Sequence, residues 1–358
     1  MRPLRDIIGA YDPHLPLERA STIPASWYTD PRVLDLELRG VFTRSWQVAG
    51  RGEQLREAGR FVTCEIAHEP VVVVRGGDNI IRAFFNVCRH HAAAVMTAGE
   101  GLATSLRCPY HGWTYSLQGE LKGTPDFSAS CDFDCRANAL MPVAVSQWEK
   151  WVLVNVDSPA LPLDEFLGDA LQAQIRDLQL ERLSWMERRR YVLDCNWKVF
   201  VDNYLDGGYH VPYLHEDLDS VLDYRNYTIE SGERYCLQSS PHATRGRALY
   251  YWIYPNFMVN WYGIAMDTNL VVPLAVNRTE VIFDFYFADI SDAARPGNLA
   301  SIAASEQIQD EDVAICASVQ RGLGSRAYTA GRLSPRREAG EHLFHRLLHR
   351  DLQTALTD

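Results

Sequence analysis

No stretch of this 358-residue chain approaches the 18 or more apolar residues of a membrane span, and its opening Met-Arg-Pro-Leu-Arg-Asp lacks the apolar core of a secretory signal. A cytoplasmic protein is expected. Basic residues are outnumbered, 35 Lys and Arg against 46 Asp and Glu, and a formal charge of −11 excludes the basic face that a nucleic-acid partner requires. Cysteine is sparse: eight thiols scattered between Cys64 and Cys316 make no disulfide framework for a chain of this size. Cys131 and Cys135 read as two unpaired thiols rather than a redox pair. No Gly-rich turn opens a βαβ unit, which excludes a dinucleotide site of that kind, and neither repeats nor low-complexity segments occur. What remains, 47% hydrophobic, is a globular chain able to bury a sizeable core and long enough for two domains.

Cys88, His90, Cys108 and His111 carry most of the chemical signal. Their spacing, C-x-H-x17-C-x2-H, is the ligand set of a Rieske [2Fe–2S] cluster, in which two thiolates hold one iron and two imidazoles the other. Neutral imidazole in place of anionic thiolate raises the potential to between about −150 and +300 mV, so the centre accepts single electrons and passes them on. Zinc also binds two Cys and two His, but usually as C-x2-4-C followed by H-x3-5-H, whereas here each pair mixes the two residue types. Each pair follows an apolar run, Ala83 to Val87 and Ala103 to Arg107, and both read as turns closing hairpins.

Between residues 41 and 157, short apolar runs broken by Gly, Asp and Asn describe one β domain. Ser158 to Leu163, with two prolines, reads as a linker. Beyond it come a helical segment (Leu163 to Leu180), a strand (Arg188 to Leu193), a helix opening near Asn196, aromatic strands from Leu249 to Ala288 and a long helix from about Asn298 to Arg321. The expected class is α+β: an N-terminal Rieske β domain at 41–157 and a catalytic domain at 158–358 with an antiparallel sheet covered by helices, in a helix-grip-like arrangement. Residues 1–40 are expected to pack as an arm on the core.

A second constellation lies between Asp202 and His215. Asp202, Asp206 and His210 recur every four residues, which in a helix stacks them on one face. His215 follows Pro212, which breaks the helix and lets the chain turn so that two imidazoles converge. Two histidines and one carboxylate make the facial triad of a non-haem Fe(II) oxygenase, with positions left open for oxygen. A helical wheel over 307–323 proposes the carboxylate: Ile308, Ile315 and Val319 mark an apolar face, Asp312 falls within it, Glu311 lies on its flank and Asp310 points away. A buried acid there requires a partner or a metal, so Asp312 is the expected third ligand and Glu311 its rival.

Over essentially its whole length the chain resembles the α subunit of a Rieske non-haem iron oxygenase, and within that family it is most similar to the choline monooxygenase branch. The segments that carry this are Ser21-Thr22-Ile23-Pro24-Ala25, Tyr28-Thr29-Asp30-Pro31, Asp202 to Tyr213, Gln309-Asp310-Glu311-Asp312, and Val319 to Leu323 with Gly331-Arg332 beyond. The resemblance implies a head-to-tail homotrimer in which one subunit's cluster lies beside its neighbour's mononuclear iron, bridged by an acid between His111 and His210. Asp206 is the candidate; many ring-hydroxylating relatives carry the acid one position later, where this chain has Gly207, and placement four before the histidine resembles the choline branch. Asn203 matches a position near the iron that does not ligate it. A separate NAD(P)H-dependent reductase or ferredoxin is implied as well, because the cluster holds one electron and activation of O2 consumes two.

Aromatic residues crowd the later strands. Tyr250, Trp252 and Tyr254 alternate onto one face, Phe257, Val259 and Trp261 onto another, with Met258, Asn260 and Tyr262 opposite. Such walls attract a quaternary ammonium by cation–π interaction, and Trp252, Tyr254, Trp261 and Tyr262 are the expected substrate contacts. The branch resemblance implies choline, a betaine or carnitine as the small-molecule substrate, oxidised by hydroxylation next to nitrogen or by N-demethylation. An aromatic-ring hydroxylating oxygenase or O-demethylase is the alternative. A Rieske electron carrier fits less well, having no use for His210, His215 and Asp312.

Overall fold

The structure, a computed structural model, describes residues 2–128, 130–157, 159–243 and 246–357; Ser158, where the linker was expected to begin, lies outside them. The chain divides into two compact units, one spanning Phe42–Phe166 and the other joining Met1–Val41 to Leu167–Asp358.

The run Val71-Val72-Val73-Val74 organises the unit Phe42–Phe166. All four side chains are fully buried in the strand Glu69–Arg75. Successive residues of a strand face opposite ways. Val71 and Val73 therefore enter one core with Leu55, Val62 and Val152, while Val72 and Val74 enter a second with Cys88, Cys108 and Trp113. This strand lies inside a seven-stranded antiparallel sheet ordered Gln47–Arg51, Trp151–Asn155, Pro142–Trp148, Ile81–Phe85, Glu69–Arg75, Arg60–Ile66, Glu100–Leu102. A three-stranded sheet of Leu106–Arg107, Thr114–Tyr115 and Leu121–Gly123 carries the second Cys-His pair. Only that pair closes a hairpin, with Leu106 opposite Tyr115 and Arg107 opposite Thr114. The first pair corrects the expectation: Ile81–Phe85 does not pair with the next strand, and the loop closes on itself as the Cys88 N–H donates to Ala93 O (2.8 Å) and the Ala92 N–H to Cys88 O (2.9 Å).

The second unit is built on another seven-stranded antiparallel sheet. Its order is Ser184–Leu193, Arg278–Phe287, Ala265–Ala275, Phe257–Trp261, Gly246–Ile253, Tyr235–His242, Thr228–Ser231, a meander of six strands with the earliest strand added at one edge. The helices Trp197–Leu205, Arg295–Leu323 and Ala339–Ala355 complete it, so the α+β class with antiparallel sheets holds. Asn196 opens the first of these as expected, its side chain accepting from the Lys198 N–H (3.1 Å). The helix expected over Leu163 to Leu180 is two, Leu163–Leu167 and Asp169–Asp177, because Gly168 adopts a left-handed φ of 75°. The long helix begins earlier than expected, since Pro296 in its first turn needs no N–H partner. Its buried stripe is also different from the wheel's: Ile302, Gln309, Cys316 and Leu323 are buried, whereas Ile315 and Val319 are 38% and 44% exposed. Asp312 keeps its inward position because it lies three residues after Gln309 and four before Cys316.

Residues 1–41 belong to this unit. Ser21 bridges Arg332 as an antiparallel pair, the Thr22 N–H donates to Gly331 O (3.1 Å) and the Ala25 N–H to Thr329 O (2.8 Å), joining segments about three hundred positions apart. Among the described residues, no helix is long and apolar enough to cross a membrane.

Candidate metal centres and the aromatic cavity

The four residues of the first motif converge at the tips of two loops. Cys88 and Cys108 are buried, and the imidazoles of His90 and His111 lie with centroids 4.7 Å apart. Trp113 stacks on His90 at 4.8 Å and 4°. The Cys108 turn is tied by the Cys108 N–H to Trp113 O (2.9 Å) and the Gly112 N–H to Cys108 O (3.1 Å), with Gly112 at a φ of 74° that a larger residue would resist. Tyr115 supports the other loop, its hydroxyl accepting from the Arg89 N–H (3.0 Å) and standing 3.5 Å from Cys88 Sγ. Burial, helped by the neighbouring His91 and His111, lowers the His90 pKa and favours the neutral ring that binds metal. His90 Nδ1 is buried with no hydrogen-bond partner, a lone pair that a cluster iron would occupy.

In the second unit, ligand atoms of His210, His215 and Asp312 lie within 4.8 Å of one another. The route to this arrangement differs from the expected single helix. Trp197–Leu205 ends before Asp206, Gly207 and Gly208 follow with φ of 69° and 67°, and His210 precedes a separate short helix, Val211–Leu214. The double glycine turn brings Asp206 Oδ2 to 2.6 Å from His210 Nδ1, while its carboxylate also accepts from the Tyr209 and His210 N–H groups. Asp202 does not share this face. Its carboxylate accepts from Tyr28 Oη (2.5 Å) and lies 3.0 Å from His345 Nε2.

The two rival acids take different positions around His215, which is 1% exposed. Glu311 Oε2 is 2.6 Å from Nδ1, and Asp312 Oδ1 is 3.2 Å from Nε2 and accepts from Asn203 Nδ2 (2.8 Å). Burial alone would lower the His215 pKa, but these two carboxylates outweigh it and raise it. Nε2 itself is buried without a hydrogen bond, facing the space shared with Asp312 and His210. A divalent ion fits this donor set of two imidazoles and one carboxylate, with Glu311 and Asp206 fixing the outer nitrogens of the rings.

A cavity of about 800 Å³, counting its open mouth, is lined by all three of these residues together with Phe200, Tyr204, Tyr227, Tyr250, Tyr262 and Phe283. Burial raises the pKa of Tyr204, Tyr227 and Tyr262 well above the usual phenol range, so the rings stay neutral. Tyr250 and Tyr262 meet edge to face at 5.9 Å. Polar groups brace the floor: Tyr204 Oη donates to Asn260 Oδ1 (2.7 Å), and Asn260 Nδ2 donates to Asp267 Oδ1 (2.8 Å) and Asn269 Oδ1 (3.1 Å).

Of the four aromatic residues expected to contact substrate, only Tyr262 lines the cavity. Trp252 shares the face of Tyr250 but lies one pair farther along, fully buried under Phe344 of the C-terminal helix, its Nε1 donating to Pro255 O (3.1 Å). Tyr254 falls beyond its strand and donates to Asp351 Oδ2 (2.7 Å). Trp261 sits opposite Leu249, on the face away from Tyr250 and Asn260. Sequence reasoning missed Tyr204, Tyr227 and Phe200, which come from a helix and a loop; alternation along a strand could not find them. Phe283, from the strand Arg278–Phe287, lines the cavity as well.

Comparison with known proteins agrees with this anatomy. Residues 45–146 match the Rieske [2Fe-2S] domain, and residues 180–238 and 223–354 match the catalytic domain of the ring hydroxylating alpha subunit. The chain is 40% identical to choline monooxygenase, chloroplastic, of Arabidopsis thaliana over 97% of its length and 86% of the relative's. It is 30% identical to the carnitine monooxygenase oxygenase subunit of Escherichia coli (strain K12), covering 87% of this chain and 86% of that one. A solved quaternary ammonium Rieske monooxygenase, described for carnitine oxidation by gut microbiota and inter-subunit electron transfer, matches with a TM-score of 0.87 at 25% identity, over 98% and 99% of the two chains. The chain thus belongs to the Rieske non-haem iron monooxygenases, with a Rieske [2Fe–2S] cluster and a mononuclear iron as its cofactors.

Proposed function

We propose that this chain is the oxygenase component of a multi-component system that oxidises a quaternary ammonium substrate of the choline, betaine or carnitine kind, with O2 and electrons from a separate NAD(P)H-dependent reductase. The observation that carries this reading is the placement of neutral aromatic rings and the His210, His215, Asp312 set around one cavity. A trimethylammonium group has no N–H to donate and is held by ring faces, each desolvated contact contributing about 2 kcal/mol. Bound on one side by these rings, the substrate would present a C–H bond next to nitrogen to the metal centre.

In this reading Cys88, His90, Cys108 and His111 hold the cluster, and His210, His215 and Asp312 hold the mononuclear iron. The cluster supplies electrons one at a time and the iron, when bound, activates O2. Asn203 fixes the Asp312 carboxylate through its 2.8 Å hydrogen bond, and Glu311 holds the outer nitrogen of His215 so that Nε2 faces the metal. Asp206, clamped by two backbone N–H groups against His210, is the acid through which we propose that electrons arrive from the cluster of a neighbouring copy in a head-to-tail homotrimer.

The test is turnover. Purified protein with chemical reductant or a reductase, O2 and choline, glycine betaine or carnitine should give an oxidised ammonium product, either the C–H hydroxylation product or formaldehyde from N-demethylation. Turnover of an aromatic acid with no ammonium compound accepted would move the function to aromatic oxygenation or O-demethylation.

A further inference from the structure

Glu341 and His345 stand four residues apart on the helix Ala339–Ala355, so both side chains leave the same face. Asp202 meets them from the helix Trp197–Leu205. Ligand atoms of the three lie within 4.8 Å of one another, the same spread as in His210, His215 and Asp312. None of these three residues belongs to either iron centre described above.

The group is buried, with His345 at 0% and Glu341 at 6% exposure. Asp202 is satisfied, accepting from Tyr28 Oη (2.5 Å) and standing 3.0 Å from His345 Nε2. Glu341 is not. Its Oε1 lies 3.8 Å from His345 Nε2, beyond hydrogen-bond reach, and among the described residues no donor bonds to its carboxylate. A buried acid left this way requires a partner. Lys198, the cation whose field reaches Asp202, is committed to Glu37, with Nζ and Oε1 2.7 Å apart and both side chains fully buried. The His345 ring cannot supply the charge either, since its Nδ1 is buried without a partner and an imidazolium would leave a charged N–H there with no acceptor. Burial, with Asp202, Glu338 and Asp206 close by, pushes the Glu341 carboxyl well above its usual range, so it ionises only with a cation beside it.

The spacing suits such a cation. Donors about 2.1 Å from a metal stand about 3.0 Å apart at a right angle and about 4.2 Å apart when opposite. His345 Nε2 lies 3.0 Å from Asp202 Oδ1 and 3.8 Å from Glu341 Oε1, inside that range.

We infer that Asp202, Glu341 and His345 form a divalent-cation site separate from both iron centres, suited by two carboxylates and one imidazole to Mn2+ or Zn2+. The cation takes the place of the proton on His345 Nε2, balances the two carboxylates, and ties the C-terminal helix to the helix that leads into the Asp206 turn. Tyr28, holding Asp202, draws residues 1–41 into the same joint.

The probe is Mn2+ itself, titrated anaerobically into protein that keeps its oxidised cluster but has been stripped of mononuclear iron, with free Mn2+ read by EPR. Wild type should bind two Mn2+ per chain, Asp312→Ala one, and Asp312→Ala with Glu341→Leu none. The Mn2+ held by Asp312→Ala should raise its melting temperature, whereas that of the double variant should not move. If Glu341→Leu does not fold, Glu341→Gln in the same background decides, with binding at least about tenfold weaker expected. Asp312→Ala protein that binds no Mn2+, or binds one that neither Glu341 substitution weakens, would overturn the site. A wild type that binds a single Mn2+, lost in Glu341→Leu and kept in Asp312→Ala, would uphold this site and overturn the mononuclear ligand set instead.

Discussion

Removing the Glu311 carboxylate should weaken mononuclear iron binding roughly tenfold, whereas Asp312→Ala should abolish it. Both acids lie beside His215, but on opposite ring nitrogens, Glu311 2.6 Å from Nδ1 and Asp312 3.2 Å from Nε2. A hydrogen bond to a charged group contributes about 1.5–3 kcal/mol. The Glu311 side chain is 32% exposed, so solvent screens it and the low end applies. About 1.5 kcal/mol is roughly tenfold in affinity, at the bottom of the 10–100-fold range typical of groups that orient a ligating histidine. The assay is anaerobic Fe(II) titration of protein that retains its cluster but lacks mononuclear iron, with a chelator as competitor. Glu311→Gln keeps an acceptor at the same distance and should lose less than Glu311→Ala. If Asp312→Ala binds iron at full strength and Glu311→Ala does not, the two roles are reversed and the geometric argument fails.

Three further perturbations, two of them with controls, have expected outcomes. Asp206→Asn keeps the size of the side chain but removes its charge, so both metal centres should persist while single-turnover oxidation of the cluster slows severely; a wild-type rate would show that Asp206 is structural. Gly207→Ala meets a left-handed φ of 69°, which costs about 1–2 kcal/mol, and a 2.2 Å approach to Arg337 O, so mononuclear iron and melting temperature should fall while cluster absorbance persists. Gly99→Ala, with open space around it, is the control and should be neutral. Choline should bind at least about tenfold more tightly than its neutral carbon analogue 3,3-dimethylbutan-1-ol, and Tyr250→Leu or Tyr262→Leu should erode that ratio. Trp252→Ala should instead cost about 3–5 kcal/mol of stability, read by thermal melting, and leave the ratio unchanged.

Spacing along the chain was enough to bring Cys88 near His90 and Cys108 near His111, because each Cys-His pair spans one short loop and needs only its own turn to bring thiol and imidazole together. The two strand-rich halves and the helix cap at Asn196 were legible for the same reason: hydrophobic alternation and capping act over a few residues. That His210, His215 and Asp312 come together was legible, and the shape of their arrangement was not. Four-residue spacing suggested a continuous helix through Asp202, Asp206 and His210, but Gly207 and Gly208 end it, and the carboxylate comes from about a hundred residues away on a helix whose buried stripe includes Gln309 and Cys316. Hydrophobicity alone gave Asp312 the right side through the wrong neighbours, since Ile315 and Val319 face outward. The cavity was decided by tertiary structure alone. Strand alternation says which residues share a face, but not where along that face a helix covers it, and Trp252 lies under Phe344 while Tyr250, two residues earlier, lies in the cavity. Tyr204 and Tyr227 reach the same space from outside the aromatic strands, a convergence that exists only once helix, loop and sheet have packed together.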